Sequence, residues 1–126
     1  MNGEILTIMG GSGSGKSVLL RLIAGLIKPD GGKICIDGTD IVPLNEDAML
    51  SFRQRMGVVF QQAALFDSMS VADNIAYPIR EHAMLGEASI QRRVAQLLDI
   101  VGLPGIQEEF PAELSGGMRK RVGIAR

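Results

Sequence analysis

One segment near the N-terminus constrains this chain more than any other: Gly10-Gly11-Ser12-Gly13-Ser14-Gly15-Lys16-Ser17. Its spacing, G-x-x-x-x-G-K-S, is typical of a loop that wraps around phosphate groups. Glycines permit the backbone conformations in which successive N–H groups point into one concavity. A helix starting at the end of the loop would add the positive end of its dipole. The segment therefore predicts a binding site for a phosphorylated ligand.

The residues on either side of the loop fit this prediction. Residues 4–9 (EILTIM) are apolar and partly β-branched, which predicts a buried central strand. Residues 16–24 predict a helix buried on most sides, with Gly25 ending it. A flexible glycine–serine linker is the alternative, but a strand before the loop and a helix after it argue against that. Lys16 would place its charge on the β- and γ-phosphates, and the Ser17 hydroxyl would bind Mg²⁺.

The predicted secondary structure changes at Gln61, from strands and helices before it to helices alone after it. Before it, residues 33–37 and 57–60 predict two more strands, and residues 47–56 predict a helix. After it, the patterns are helical: residues 71–77 with Pro78 ending that helix, the amphipathic stretch 87–101, and a helix from 116 onward. We therefore expect three parts: a core segment over 1–69, a helical subdomain over 70–114, and 115–126 leading into the last helix.

Composition excludes several classes of protein. The chain has 126 residues, the size of one small domain, and a net charge of −1, which argues against a broad basic surface for nucleic acid. The single cysteine, Cys35, excludes an internal disulfide framework and fits a reducing compartment. The sequence has no apolar run long enough to span a membrane and no signal-peptide pattern. A cytoplasmic protein is the expectation.

A second motif, Leu114-Ser115-Gly116-Gly117, stands at the start of the last predicted helix. Taken alone it is most simply an N-cap, with Ser115 capping and the glycines forming a turn. Together with the phosphate loop upstream, it favours a second anion site at a helix N-terminus. With both motifs the chain resembles the ATP-binding cassette (ABC) ATPases. Met118 departs from the glutamine usual at that position, and we interpret it as a mark of a subfamily.

The ABC resemblance implies a fold, a ligand and a set of site residues. The fold would be α/β, an incomplete P-loop NTPase core with an inserted helical subdomain, and the cofactors would be ATP and Mg²⁺. Gln61, in Val58-Val59-Phe60-Gln61, matches the family's Q-loop glutamine and would have a catalytic role. Ser17 and Gln61 would bind the metal. The nucleotide-binding residues would be Gly10, Gly11, Ser12, Gly13, Ser14, Gly15, Lys16, Ser17 and Val18, with Ser115, Gly116 and Gly117 facing the nucleotide of a second protomer.

Other segments resemble one subfamily, the ATPases of Mla/Mce-type phospholipid transporters. They are residues 61–66 (QQAALF), residues 73–82 (DNIAYPIREH) and the LSGGM signature with its following basic run. This resemblance implies an ATP-binding subunit that powers lipid transport. An amino-acid importer or a non-transport ABC ATPase are the alternatives. The expected partners are a membrane permease and a second copy packed head to tail, without nucleic acid. The location would be peripheral, on the inner face of the cell membrane, with membrane contact only through the permease.

The same resemblance suggests where the permease would dock. Residues 63–77 would line a groove for it, with Phe66 and Met69 as apolar contacts. The alternative is that these two side chains belong to the core. His82, the only histidine, lacks partners at ligand spacing, so we interpret it as a surface residue. The basic residues Arg119, Lys120, Arg121 and Arg126 are interpreted as a solvated or subunit-contacting face rather than a nucleic-acid site.

The family's catalytic Asp-Glu strand is not found in this sequence. Asp37 is too early and is followed by Gly38, and Asp99 lies on the amphipathic helix. The strand is expected just after Arg126, so we interpret the chain as a fragment of an ABC-type ATPase. Such a fragment is expected not to hydrolyse ATP alone, and a fragment that only binds nucleotide is a third possibility. Apolar faces of its first helix and strands would be exposed, which favours self-association or strand exchange.

Overall fold

The computed structural model describes residues 3–126, which form two compact units that meet in sequence between Val58 and Val59. The first unit contains one helix, a two-stranded hairpin and a second helix. The second unit contains three helices and a short 3₁₀ turn. In chain order the elements are α1 (Lys16–Ile23), β1 (Cys35–Ile36), β2 (Thr39–Asp40), α2 (Glu46–Arg53), α3 (Val71–His82), α4 (Glu87–Ile100), the 3₁₀ turn (Pro111–Glu113) and α5 (Gly116–Ala125).

A side-chain hydrogen bond connects helix α2 to the C-terminal end of helix α1. Gly25 has a φ of 66°, the left-handed conformation predicted for the residue that ends this helix. The guanidinium of Arg53 donates to the Gly25 carbonyl at 2.8 Å and also pairs with Glu46. The side chain of Asn45 caps α2 by accepting from the Ala48 N–H at 2.9 Å. These contacts fix the end of the helix that starts at the phosphate loop.

Two of the three strand predictions are wrong, and the third is only partly right. Residues 4–9 and 57–60 form no strand, and Ile5 and Leu6 are 94% and 87% exposed. Within residues 33–37 only β1 is a strand, with Cys35 opposite Asp40 of β2 in antiparallel register. A strand requires a neighbour to pair its N–H and C=O groups. Within residues 3–126 the two missing strands have no such neighbour.

Helix α1 also differs from expectation. It forms where predicted, but none of its residues is buried, and Val18 and Leu20 are half-exposed. The helix was expected to be buried on most sides because its sequence is largely apolar. Burial requires a surface to pack against, and the only sheet within the described part of the chain is the two-stranded hairpin of β1 and β2.

The core of the second unit lies among α3, α4 and α5. Its fully buried side chains come from all three helices: Val71, Ile75, Val94, Leu98 and Val122. The amphipathic helix predicted over 87–101 is confirmed as α4, and the helix predicted from 116 is confirmed as α5. Among the described residues, no helix is both long and apolar enough to cross a membrane.

Pro78 does not end α3, so that prediction is wrong. The helix continues through Pro78 to His82. Proline removes one backbone hydrogen bond and crowds the preceding turn. The turn beyond it is held by Arg80, which donates to Asp73 of the same helix at 3.0 Å and to Glu87 of α4 at 2.6 Å. Packing of α3 against α4 and α5 adds to this and offsets the cost of the proline.

Candidate nucleotide site and family

The phosphate loop closes on itself through the side chain of Lys16. The Lys16 ammonium donates to the carbonyls of Gly10 at 2.7 Å and Gly11 at 2.6 Å, and to the Ser14 hydroxyl at 3.2 Å. The N–H of Ser14 donates to the Gly11 carbonyl at 3.3 Å. One charged side chain therefore contacts three positions of the loop, which places a positive charge at the N-terminal end of α1.

The loop needs glycine at particular positions. Gly13 and Gly15 have φ values of 79° and 90°, in the left-handed region that disfavours other residues. At Gly10 the reason is space, since a Cβ atom would lie 2.6 Å from the hydroxyl oxygen of Ser14. These requirements explain why the pattern in the sequence specifies a loop conformation and not only a flexible linker.

The first turn of α1 offers backbone donors. Its N-cap, Gly15, has no side chain to accept from the turn. Among residues 3–126, no acceptor is found for the N–H groups of Lys16, Ser17 and Val18. Free N–H groups and the positive end of the helix dipole together favour an anion. The arrangement fits a phosphate group, and the exposed Ser17 adds a hydroxyl oxygen of the kind that binds Mg²⁺.

The second motif forms the N-terminus of α5. The Ser115 hydroxyl caps this helix by accepting from the Met118 N–H at 3.2 Å. Gly116 and Gly117 form its first turn, are exposed, and have open space where a Cβ would stand. Ser115 is therefore the N-cap of α5, and the predicted role of this motif as an anion site stays a prediction. A role in binding phosphate is compatible with the cap, because no acceptor is found among the described residues for the N–H groups of Gly116 and Gly117.

Gln61 lies in the same unit as the second motif, and the two share a groove. The groove has a volume of about 520 Å³, and its walls include Gln61, Gly116, Arg119 and Lys120. The phosphate loop belongs to the first unit and Gln61 to the second. Within the second unit, the structure thus brings together two of the predicted site segments.

The two residues after Gln62 adopt a costly backbone conformation. Ala63 and Ala64 have φ values of 61° and 50°, in the left-handed region that residues other than glycine rarely adopt. Ala63 is buried against Gly123 of α5, where an added Cβ would come within 3.0 Å of it. Arg126 donates to the Ala64 carbonyl at 2.6 Å. Such strain is typical of functional loops held by their surroundings.

The side chain of Asn74 organises residues 66–70, a role that was not predicted from the sequence. Asn74, on α3, is fully buried and makes four hydrogen bonds to this segment. The sequence held little signal for this role, because the burial that obliges the Asn74 amide to find partners is a property of the packed helices.

Phe66 and Tyr77 form an exposed aromatic pair beside this segment. Their ring centroids are 5.4 Å apart in an edge-to-face arrangement, and each residue is about 40% exposed. The Arg126 guanidinium lies 4.6 Å from the centre of the Phe66 ring. Phe66 is therefore not a core residue, and Met69 is only half-buried. The core alternative is wrong for Phe66.

The basic residues near the end of the chain have different roles. Arg121 donates to the carbonyls of Val101 and Gly102 at 3.3 and 3.2 Å, at the C-terminal end of α4. Arg126 contacts Ala64 and Phe66, as described above. Arg119 and Lys120 line the groove near Gln61. His82 is exposed in the last turn of α3, as expected, and no metal-binding cluster of His, Cys, Asp or Glu occurs within residues 3–126.

Comparison with known proteins defines the class to which these features belong. The ABC transporter family model matches residues 1–126, the whole chain. The chain therefore belongs to the ABC transporter family.

Several curated proteins are similar over almost the entire chain. The probable ribonucleotide transport ATP-binding protein mkl of Mycobacterium leprae is 48% identical over 124 residues, 98% of this chain and 36% of that protein. The methionine import ATP-binding protein MetN 1 of Pseudomonas fluorescens is 47% identical over 99% of this chain and 37% of that protein. The intermembrane phospholipid transport system ATP-binding protein MlaF of Escherichia coli is 47% identical over 98% of this chain and 46% of that protein. The chain thus spans less than half the length of each.

Solved structures confirm the fold class. A dimeric structure of the ATP-binding cassette MJ0796, in a post-hydrolysis state bound to ADP and Pi, superposes with a TM-score of 0.83 at 31% identity. The match covers 91% of this chain and 51% of that one. The α/β P-loop cassette fold predicted from the two motifs is therefore correct. This holds although the only sheet among the described residues is the hairpin of β1 and β2.

Proposed function

We propose that this chain is the nucleotide-binding part of an ABC transporter ATPase, in which ATP binding and hydrolysis drive a membrane permease. The observation that carries the proposal is the phosphate loop. It combines left-handed glycines, a folded-back lysine and free N–H groups at the start of α1. This is the chemistry that recognises the phosphates of a nucleotide.

The proposed roles follow from the chemistry of each residue. Backbone N–H groups of residues 11–18 bind the phosphates, and Lys16 balances their charge. The Ser17 hydroxyl is proposed as a ligand of Mg²⁺, and the Gln61 amide oxygen is proposed as another. When bound, the metal would neutralise charge on the β- and γ-phosphates. Residues 115–117 are proposed to contact the nucleotide held by a second, head-to-tail copy. In this proposal Gln61 also helps to orient the attacking water.

The test of nucleotide binding is a thermal shift with Mg-ATP. We expect the ligand to raise the melting temperature of the chain by an amount that grows with the logarithm of its concentration above Kd. Lys16→Ala should abolish the shift. Lys33→Ala is the matched control, because Lys33 is exposed, lies in the same unit and makes no hydrogen bond within the described residues. Equal shifts in both variants would contradict the assignment of the phosphate loop.

For the transported substrate we propose phospholipid. Support comes from the similarity of residues 61–66 and 73–82 to phospholipid-transport ATPases, and from the 47% identity to MlaF. MetN 1 is equally similar, so methionine import is one competing candidate, and the 48% identity to mkl makes ribonucleotide transport another. The substrate itself is expected to be selected by the permease and not by the residues described here.

A segment exchange separates phospholipid transport from methionine import. The chain replaces the matching segment of MlaF in one chimera and of MetN 1 in another. Phospholipid movement between membranes is measured for the first and methionine uptake for the second. We expect transport by the MlaF chimera and little by the MetN 1 chimera, because the surface that meets the permease lies within the exchanged segment. The reverse result would favour methionine import. Association with ribosomes or DNA, and with no permease, would favour a non-transport ABC ATPase.

A further inference from the structure

The C-terminal end of α5 contacts the backbone that follows Gln61. The guanidinium of Arg126 donates to the Ala64 carbonyl at 2.6 Å and lies 4.6 Å from the centre of the Phe66 ring. Arg126 and Ala64 are 62 positions apart in sequence, so this is a tertiary contact between a helix and a loop. None of the roles proposed above for the nucleotide site involves Arg126.

Gln61 lies in a turn that ends at the residue before Ala64. The Ala63 N–H donates to the Phe60 carbonyl at 2.9 Å, and Gln61 is the first of the two central residues of this turn. Ala63 is 7% exposed and packs against α5. The backbone position of Ala63 therefore fixes the turn that carries Gln61.

The contact with Arg126 acts on a backbone conformation that alanine disfavours. The φ values of Ala63 and Ala64 are 61° and 50°, and a left-handed alanine persists only where its surroundings hold it. The hydrogen bond from Arg126 fixes the direction of the Ala64 carbonyl. That direction would change if Ala64 relaxed to a right-handed or extended conformation, and the preceding turn would move with it.

We propose that Arg126 is a positioning residue for Gln61. In this inference, which rests on the proposed function, Arg126 holds Ala64 in the left-handed conformation and thereby keeps the turn over 60–63 in place. Gln61 then stays in the groove that it shares with Gly116 of the second motif. Arginine suits this role because one planar guanidinium donates to a carbonyl and also lies against an aromatic ring. Helix α5 thus carries the second motif at its N-terminus and the support of Gln61 at its C-terminus.

The first measurement is made by NMR on the labelled chain and needs no nucleotide. The three-bond HN–Hα coupling of Ala64 reports its φ, and the side-chain amide signal of Gln61 reports its surroundings. Arg126→Ala should change both, and Arg126→Lys should change them less, because lysine can still donate to the Ala64 carbonyl. Arg93→Ala is the matched control and should change neither, since Arg93 is exposed and makes no hydrogen bond within the described residues. Unchanged Ala64 and Gln61 signals in the folded Arg126→Ala variant would overturn the proposal.

The second measurement is the contribution of Mg²⁺ to ATP affinity, obtained by calorimetry as the ratio of the Kd in EDTA to the Kd in Mg²⁺. Arg126→Ala should lower this ratio about tenfold, the effect expected when a metal ligand loses the group that orients it. Gln61→Ala should lower it at least as much, and the double variant should lower it no further, because both changes act through one side chain. In an Ala64→Gly background Arg126→Ala should have a smaller effect, since glycine adopts the left-handed conformation without support.

The outcomes separate this inference from the proposed function. An equal loss of ATP affinity with and without Mg²⁺ in Arg126→Ala would place Arg126 on the nucleotide itself and overturn the positioning role. Additive effects of Gln61→Ala and Arg126→Ala would also overturn it. If Lys16→Ala leaves ATP binding intact, or Gln61→Ala leaves the Mg²⁺ contribution unchanged, the proposed function fails instead. The NMR signals of Ala64 and Gln61 then still decide whether Arg126 positions Gln61.

Discussion

The side-chain amide of Asn74 holds both backbone groups of Phe66. The Phe66 N–H donates to Asn74 Oδ1 at 2.8 Å, and Asn74 Nδ2 donates to the Phe66 carbonyl at 3.0 Å. The same Nδ2 contacts the carbonyls of Met69 at 3.1 Å and Ser70 at 3.0 Å. One buried amide thus anchors the segment after Gln61 to helix α3.

Replacing Asn74 should destabilise the second unit strongly. Asn74→Ala removes four hydrogen bonds at a buried site, and we expect a loss of about 2–3 kcal/mol in the free energy of unfolding. Tyr77 is the only tyrosine and the chain has no tryptophan, so tyrosine fluorescence in urea reports on this unit. Asn45→Ala, which removes only the cap of α2 in the first unit, is the control and should leave the Tyr77 transition in place. A loss below about 0.5 kcal/mol for Asn74→Ala would contradict the anchoring role.

The left-handed conformation of Ala64 predicts that glycine is better tolerated there than alanine. Alanine costs roughly 1–2 kcal/mol in this conformation, while glycine adds backbone entropy to the unfolded chain. We expect Ala64→Gly to raise the free energy of unfolding by up to about 1 kcal/mol. Ala95→Gly, inside α4, is the comparison and should lower it by about 1 kcal/mol. Destabilisation by both substitutions would contradict a left-handed conformation at Ala64.

The ion pairs of Arg80 predict a dependence of stability on pH. The hydrogen bond from Arg80 lowers the pKa of Glu87 below its ordinary value of 4.5, with a further contribution from Gln91. Because the folded-state pKa is depressed, the stabilisation is present above the unfolded pKa and is lost as pH falls through the folded value. The stability difference between wild type and Glu87→Gln should therefore be largest near neutral pH and shrink below about pH 4.5.

The control for this prediction is Glu81→Gln. Glu81 is exposed, lies on α3 next to Arg80 in sequence, and makes no ion pair within the described residues. Urea unfolding of wild type and both variants is followed from pH 7 downward. A Glu87→Gln difference that stays constant across this range would contradict the prediction.

Substitutions at Ser115 distinguish capping from phosphate binding. Ser115→Ala removes the acceptor for the Met118 N–H and should cost about 1 kcal/mol in unfolding free energy. Ser115→Asp retains an acceptor and should preserve stability. If residues 115–117 also contact a phosphate, the added negative charge should weaken dimerisation driven by Mg-ATP. Undiminished dimerisation of Ser115→Asp, measured by analytical ultracentrifugation, would leave Ser115 with the capping role alone.

Local motifs were predictable because their physics is local. The phosphate loop, the cap at Ser115, and helices α4 and α5 each depend on residues within a few positions of one another. Gly25 ends α1 for the same reason, since the left-handed turn is a property of that residue. The family could be recognised from the sequence because the loop and the signature are both short contiguous patterns.

The tertiary structure alone decided the features that depend on distant partners. Residues 4–9 have the composition of a strand but lack a paired neighbour among the described residues, and pairing is a property of the sheet. Pro78 remains inside α3 because contacts with α4 outweigh its local preference. The anchoring by Asn74 and the strained conformation of Ala64 likewise arise only when α3, α4 and α5 pack. The sequence by itself determined which local chemistry this protein can perform, and packing determined which surfaces present it.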